Sequence, residues 1–151
     1  MIKVLCVGKI KEKFLKDAID EYSKRISKYT KFSIIEVNDY NLYDDATNKE
    51  KEAKELEKYI DKRDYIICLS IDGEQINSVE LSKKIDGIFN NYSNITFIIG
   101  GSNGFADSIV NICNYKLSFS KLTFPHQLFR VMLLEQIYRS FKIINNETYH
   151  K

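Results

Sequence analysis

Residues 95–104 read Ile-Thr-Phe-Ile-Ile-Gly-Gly-Ser-Asn-Gly, and residues 116–128 read Lys-Leu-Ser-Phe-Ser-Lys-Leu-Thr-Phe-Pro-His-Gln-Leu. The apolar run Ile95–Ile99 has the length and β-branched bias of a buried strand. It runs into Gly100, Gly101 and Gly104, where the backbone can take positive φ or pass close to a ligand. A second short strand, Lys116–Phe119, leads through the polar turn Ser120–Thr123 into a long apolar helix over Pro125–Ile144. Pro125 suits the first helical turn because its missing N–H would have no intrahelical partner there. Thr123 is a candidate N-cap. Two strand ends thus deliver glycine, hydroxyl and backbone amide groups toward one sheet edge, where open α/β sheets bind ligands.

Outward from this stretch, strand and helix patterns alternate. Apolar strands are predicted at Ile2–Val7, Phe32–Val37 and Tyr65–Ile71, the last ending in the turn signal Asp72-Gly73-Glu74. Amphipathic helices are predicted over Lys11–Tyr29 and Asn48–Lys62, from an N-cap at Ser78, and near Ala106–Cys113. Asn38–Thr47 reads as a polar loop. The pattern predicts one α/β domain over residues 1–151 with a largely parallel sheet. The closing helix carries more apolar residues than a single stripe needs, which predicts a second partner such as the same helix in a symmetric dimer, the alternative being a helix deeply buried within the monomer.

A net charge of +2 excludes a strong global field, so any nucleic-acid surface is a local patch; Lys9, Lys11, Lys13, Lys121, Arg139 and Lys151 are its candidates. No apolar run approaches the ~20 residues of a membrane span. The N-terminus reads as a strand rather than a signal peptide, so a cytoplasmic location is expected. Cys6, Cys68 and Cys113 lie far apart in apolar runs and are expected to be reduced structural thiols. No metal-ligand spacing and no nucleophile–base pattern is found.

Two turns are candidate sites. Gly100–Gly104 lacks both the phosphate-loop and the dinucleotide spacing, so it is either a cofactor turn or a plain strand–helix turn. Phe119–Phe124 places two hydroxyls and an ammonium between aromatics, fitting an adenosine-bearing ligand or a helix cap flanked by core aromatics. His126 lies near the same edge, with a capping role as the alternative. His150, in the tail, is either functional or simply solvated.

Several segments together resemble the RlmH family, small SPOUT-class methyltransferases of large-subunit ribosomal RNA. They are Val7-Gly8-Lys9, Phe97–Gly104, Leu117–Leu128, Glu135–Arg139 and the terminal Tyr149-His150-Lys151. The resemblance covers the whole chain. It implies an α/β fold with a C-terminal trefoil knot, which periodicity does not reveal. It also implies a homodimer that uses S-adenosylmethionine, without a metal, to methylate N3 of a pseudouridine in large-subunit rRNA. By the family motif, Leu69, Gly100, Phe119, Ser120, Lys121, Leu122, Thr123 and Phe124 would contact the cofactor. Arg139, Tyr149 and His150 would serve substrate binding and catalysis. Family members commonly carry Pro before the terminal Tyr-His, where this chain has Thr148, so the tail is expected to be less preorganised. The competing reading is a non-enzymatic ribosome-associated RNA-binding protein with the same fold.

Overall fold

A computed structural model describes residues 1–151. Five strands, β1 (Ile2–Val7), β2 (Phe32–Val37), β3 (Tyr65–Gln75), β4 (Ile95–Ile99) and β5 (Tyr115–Ser118), form one sheet in the order β2-β1-β4-β3-β5. Every pairing is parallel. Parallel strands need crossovers, and these are α1 (Lys13–Ile26), α2 (Asp45–Glu57), α3 (Ser78–Ile88) and α4 (Asp107–Val110); α5 (His126–Ile144) closes the chain.

The period-2 geometry of the strands divides the core in two. Ile2, Val4 and Cys6 of β1 and Ile95, Phe97 and Ile99 of β4 face a larger cluster covered by α1, α3 and α5. Leu5, Val7 and Ile98 face the opposite cluster, covered by α2 and α4. The apolar runs lack polar alternation because both faces are covered.

Local chemistry moves several boundaries. α3 is capped by Asn77, not Ser78: its side chain accepts from the Glu80 N–H while Glu80 returns the bond to the Asn77 N–H. α2 begins at Asp45, capped by the Asp44 side chain, so part of the expected loop is helical. Thr123 caps nothing, for Pro125 itself occupies the N-cap position of α5. The predicted turn at 72–74 is a bulge. Leu69 and Glu74 both pair with Leu117, so residues 70–73 are extra length on β3. A Cβ on Gly73 would lie 2.8 Å from the Lys116 and Leu117 backbone, so the bulge requires glycine there.

The expectation of three reduced thiols is corrected for two of them. Cys68 of β3 and Cys113, just before β5, form a disulfide with Cα atoms 6.1 Å apart. The parallel pairing of β3 with β5 brings together residues 45 positions apart in the chain, a proximity that spacing alone conceals. Only Cys6 is free, and burial pushes its thiol up to about 12.

Part of the apolar excess of α5 is used within the chain, since the helix packs on both α1 and α3. No residue from Phe129 to Ile144 is fully exposed. No helix is long and apolar enough to cross a membrane.

Candidate active site

A cavity of about 410 Å³ opens at the carboxyl ends of β3, β4 and β5. β3 contributes Leu69 and, through its bulge, Ser70 and Ile71; β4 contributes Ile99 and the turn residues Gly100, Gly101, Ser102 and Gly104. β5 and the segment after it contribute Leu117, Ser118, Phe119, Ser120, Leu122, Thr123 and Phe124, and α5 adds His126 and Phe129. Of the family-motif cofactor positions, only Lys121 lies outside the wall, exposed to solvent.

The walls differ in chemistry. Phe119 packs on Phe129 with ring centroids 4.8 Å apart, and Phe124 stacks on Phe129 at 6.3 Å, giving a rigid aromatic side. Ser118 donates to the Ser120 carbonyl and the Ser120 hydroxyl accepts from the Leu122 N–H, which fixes the turn without either hydroxyl leaving the wall. On the opposite side Gly104 has φ +78° and its N–H bonds the Gly101 carbonyl. A Cβ on Gly100 would sit 3.1 Å from the Phe105 ring, so the absence of a side chain keeps that wall open. Burial, then the neighbouring Arg130, holds the His126 imidazole below its ordinary value, so it faces the cavity uncharged near neutrality.

The cavity suits S-adenosylmethionine in size and character. Its volume falls in the usual range of small-molecule sites, and apolar aromatic surface for a ring stands beside hydroxyls and glycine backbone for polar groups. No group of three or more His, Cys, Asp or Glu side chains could hold a metal ion.

Arg139, Tyr149 and His150 come together elsewhere, around Glu135. Arg139 donates from Nε to Glu135 Oε1 at 2.7 Å, and its Nη2 lies 2.7 Å from the same oxygen. The Tyr149 hydroxyl donates to Glu135 Oε2 at 3.2 Å, and the guanidinium lies 4.8 Å over the Tyr149 ring. Arg139 Nη1 is 3.1 Å from His150 Nδ1. A guanidinium only donates, so Nδ1 accepts and the neutral ring carries its proton on Nε2. Burial, then the Glu135 carboxylate, raises the Tyr149 phenol, which therefore stays a donor at neutral pH. His150 lines a neighbouring cavity with Asn77, Ser78 and Gln136, separated from the first by the shared Leu117 and Phe119.

Sequence reasoning passed over Ser70, Ile71 and Phe105 as wall residues. The bulge that brings Ser70 and Ile71 to the cavity depends on pairing with β5 and leaves no local mark, whereas Phe105 directly follows the glycine turn.

The family described as "Predicted SPOUT methyltransferase" matches residues 1–150. A Methanococcus maripaludis (strain C5) relative is 53% identical over 99% of both chains. A Clostridium botulinum (strain Langeland) protein named ribosomal RNA large subunit methyltransferase H is 52% identical over 99% of both chains. Among solved structures, a probable methylase family protein from Haemophilus influenzae Rd KW20 superposes with a TM-score of 0.54 at 13% identity, covering 99% of this chain and 70% of the other, a likeness of fold.

Proposed function

The chain belongs to the SPOUT methyltransferases, in the branch of the ribosomal RNA large subunit methyltransferase H proteins, and from that premise we propose that it methylates N3 of a pseudouridine in large-subunit rRNA with S-adenosylmethionine as donor. The observation that carries this reading is the cavity at the ends of β3, β4 and β5, which gathers Leu69, Gly100 and most of Phe119–Phe124 into one wall. Bound there, S-adenosylmethionine supplies a methyl carbon made electrophilic by its sulfonium. The protein then has to orient an imide nitrogen and remove its proton.

The charge left on the imide spreads to its flanking carbonyl oxygens, where the Arg139 guanidinium stabilises it. The Tyr149 phenol adds a second donor. While Arg139 holds His150 Nδ1, the ring offers only an N–H. When Arg139 shifts toward the developing anion, Nδ1 is freed and can take the imide proton. One movement thus creates the base and supplies the counter-charge.

The working unit is a homodimer in which the tail of one subunit crosses the cavity of the other. Three features support this. Arg139, Tyr149 and His150 are not in the wall of their own chain's first cavity. The cavity mouth carries exposed Ile71 and Leu122. Leu128 at the start of α5 is also uncovered. The trefoil knot expected of the family belongs to the same proposal, supported by the way α5 turns back from the 119–125 segment onto α1 and α3.

The test is transfer of labelled methyl from S-adenosylmethionine to ribosomes lacking the modification. Wild type should label them, and His150→Ala and Arg139→Ala should each lose at least 100-fold in rate. Mixing a tail variant with a cavity variant should restore part of the activity if the tail acts across subunits. No incorporation by wild type leaves the non-enzymatic binding reading standing. We further propose that the shape of the target within the assembled ribosome, rather than its isolated sequence, is what the protein recognises; equal rates on free rRNA fragments and on ribosomes would contradict this.

A further inference from the structure

Helix α2 is charged along most of its length, yet it buries two polar side chains one turn apart, Asn48 and Glu52. Glu52 is only 3% exposed. A carboxylate in that position is costly unless it is paired. No cation meets it. Glu52 Oε2 accepts the Tyr40 N–H at 2.9 Å and the Asn103 amide at 3.4 Å, while Oε1 is buried without a partner. The same Asn103 amide donates to the Tyr40 carbonyl at 3.0 Å. Both backbone groups of Tyr40 are therefore held, one by Glu52 and one by Asn103.

Asn103 belongs to the glycine turn. Gly100, Gly101, Ser102 and Gly104 line the cofactor cavity, while Asn103 bonds away from it to Tyr40 and Glu52. Gly101 is wedged on the same side: an added Cβ would lie 2.9 Å from Val7 Cγ1 and 3.4 Å from Glu52 Oε1. One turn earlier on α2, Asn48 grips both backbone groups of Tyr43, which anchors the 38–44 loop to the helix.

We propose that Glu52 is a positioning residue for the methyl donor: through Tyr40 and Asn103 it fixes the glycine turn in the shape that keeps the cavity open. This rests on the reading of that cavity as the S-adenosylmethionine site. Glu52 and Asn103 do not line the cavity, so they act through the backbone between them and the ligand. Gln at position 52 keeps an acceptor for the Tyr40 N–H; Ala keeps none.

The experiment is calorimetric titration with S-adenosylhomocysteine of wild type, Glu52→Ala, Glu52→Gln and Asn103→Ala, with thermal midpoints measured alongside. Methyl-transfer kinetics on ribosomes follow. Glu52→Ala and Asn103→Ala should weaken binding at least tenfold and raise the KM for S-adenosylmethionine with kcat within threefold of wild type. Glu52→Gln should stay within threefold in binding. Folded variants that bind as tightly as wild type while melting lower would show a purely structural role and overturn the proposal. Should Glu52→Ala fail to fold, Asn103→Ala and Glu52→Gln carry the same comparison. Wild type that binds no S-adenosylhomocysteine would overturn the cavity reading itself, and this proposal with it.

Discussion

Replacing Arg130 by Met removes the one cation buried at the junction of β1, β2 and α5. Arg130 is 1% exposed. Its Nη1 donates to Glu36 Oε2 at 2.6 Å, and its Nη2 donates to the carbonyls of Gly8 at 3.0 Å and Val7 at 3.3 Å. Glu36 also accepts the Ile10 N–H at 2.8 Å, so the ion pair fixes the whole connection from β1 to α1. Breaking a buried pair by removing one partner costs about 3–5 kcal/mol. The Glu36 side chain is 35% exposed and regains water when its partner goes, which places the expected loss at the lower end, about 3 kcal/mol. Met fills most of the aliphatic volume, so little of that loss is cavity. For a chain of this size the same energy lowers the thermal midpoint by roughly 6–12 °C. Urea unfolding at fixed protein concentration reads it directly, followed by far-UV circular dichroism and tyrosine fluorescence, since the chain has no Trp. In a double-mutant cycle with Glu36→Gln, the coupling should be at least about 1.5 kcal/mol. A loss under about 1 kcal/mol for Arg130→Met, or additivity in the cycle, would refute the pair as the anchor of that connection.

Burial raises the Glu52 carboxyl above its ordinary 4.5, so the folded state binds that proton more tightly than the unfolded state. The stability this contributes is full below pH 4.5 and is lost as pH rises through the raised native value; Glu52→Gln should therefore gain on wild type from pH 4 to pH 7 in urea unfolding, and a constant difference would contradict it. Thiol titration of unreduced protein should find none reactive when native, one in denaturant and three after reduction; three without reduction would exclude the Cys68–Cys113 bond. Gly101→Ala forces a methyl to 2.9 Å from Val7 and should cost about 1–3 kcal/mol, read as a lowered thermal midpoint with weakened S-adenosylhomocysteine binding.

The glycine turn and the 119–124 segment were legible because backbone freedom and hydroxyl chemistry at strand ends are local properties. The wall they share also uses Ser70, Ile71 and Phe105, and it excludes Lys121. Glu52 lies within the predicted 48–62 helix among many Glu and Lys side chains, and such a segment gives no local sign that one Glu faces inward. Arg130 stands among apolar residues of the closing helix, and nothing near it in the chain reveals its partner, because Glu36 lies 94 residues away.

By itself the sequence determined the α/β class, through runs whose period-2 and period-3.6 patterns need only neighbouring residues to express themselves. It also determined the family, through side chains fixed at matched spacings along the chain. Tertiary structure alone decided the strand order β2-β1-β4-β3-β5, the bulge at 70–73, the Cys68–Cys113 pairing and the inward turn of Glu52. Each of these depends on which distant segment lies alongside, and a one-dimensional pattern encodes the preferences of a segment but not the identity of its neighbour.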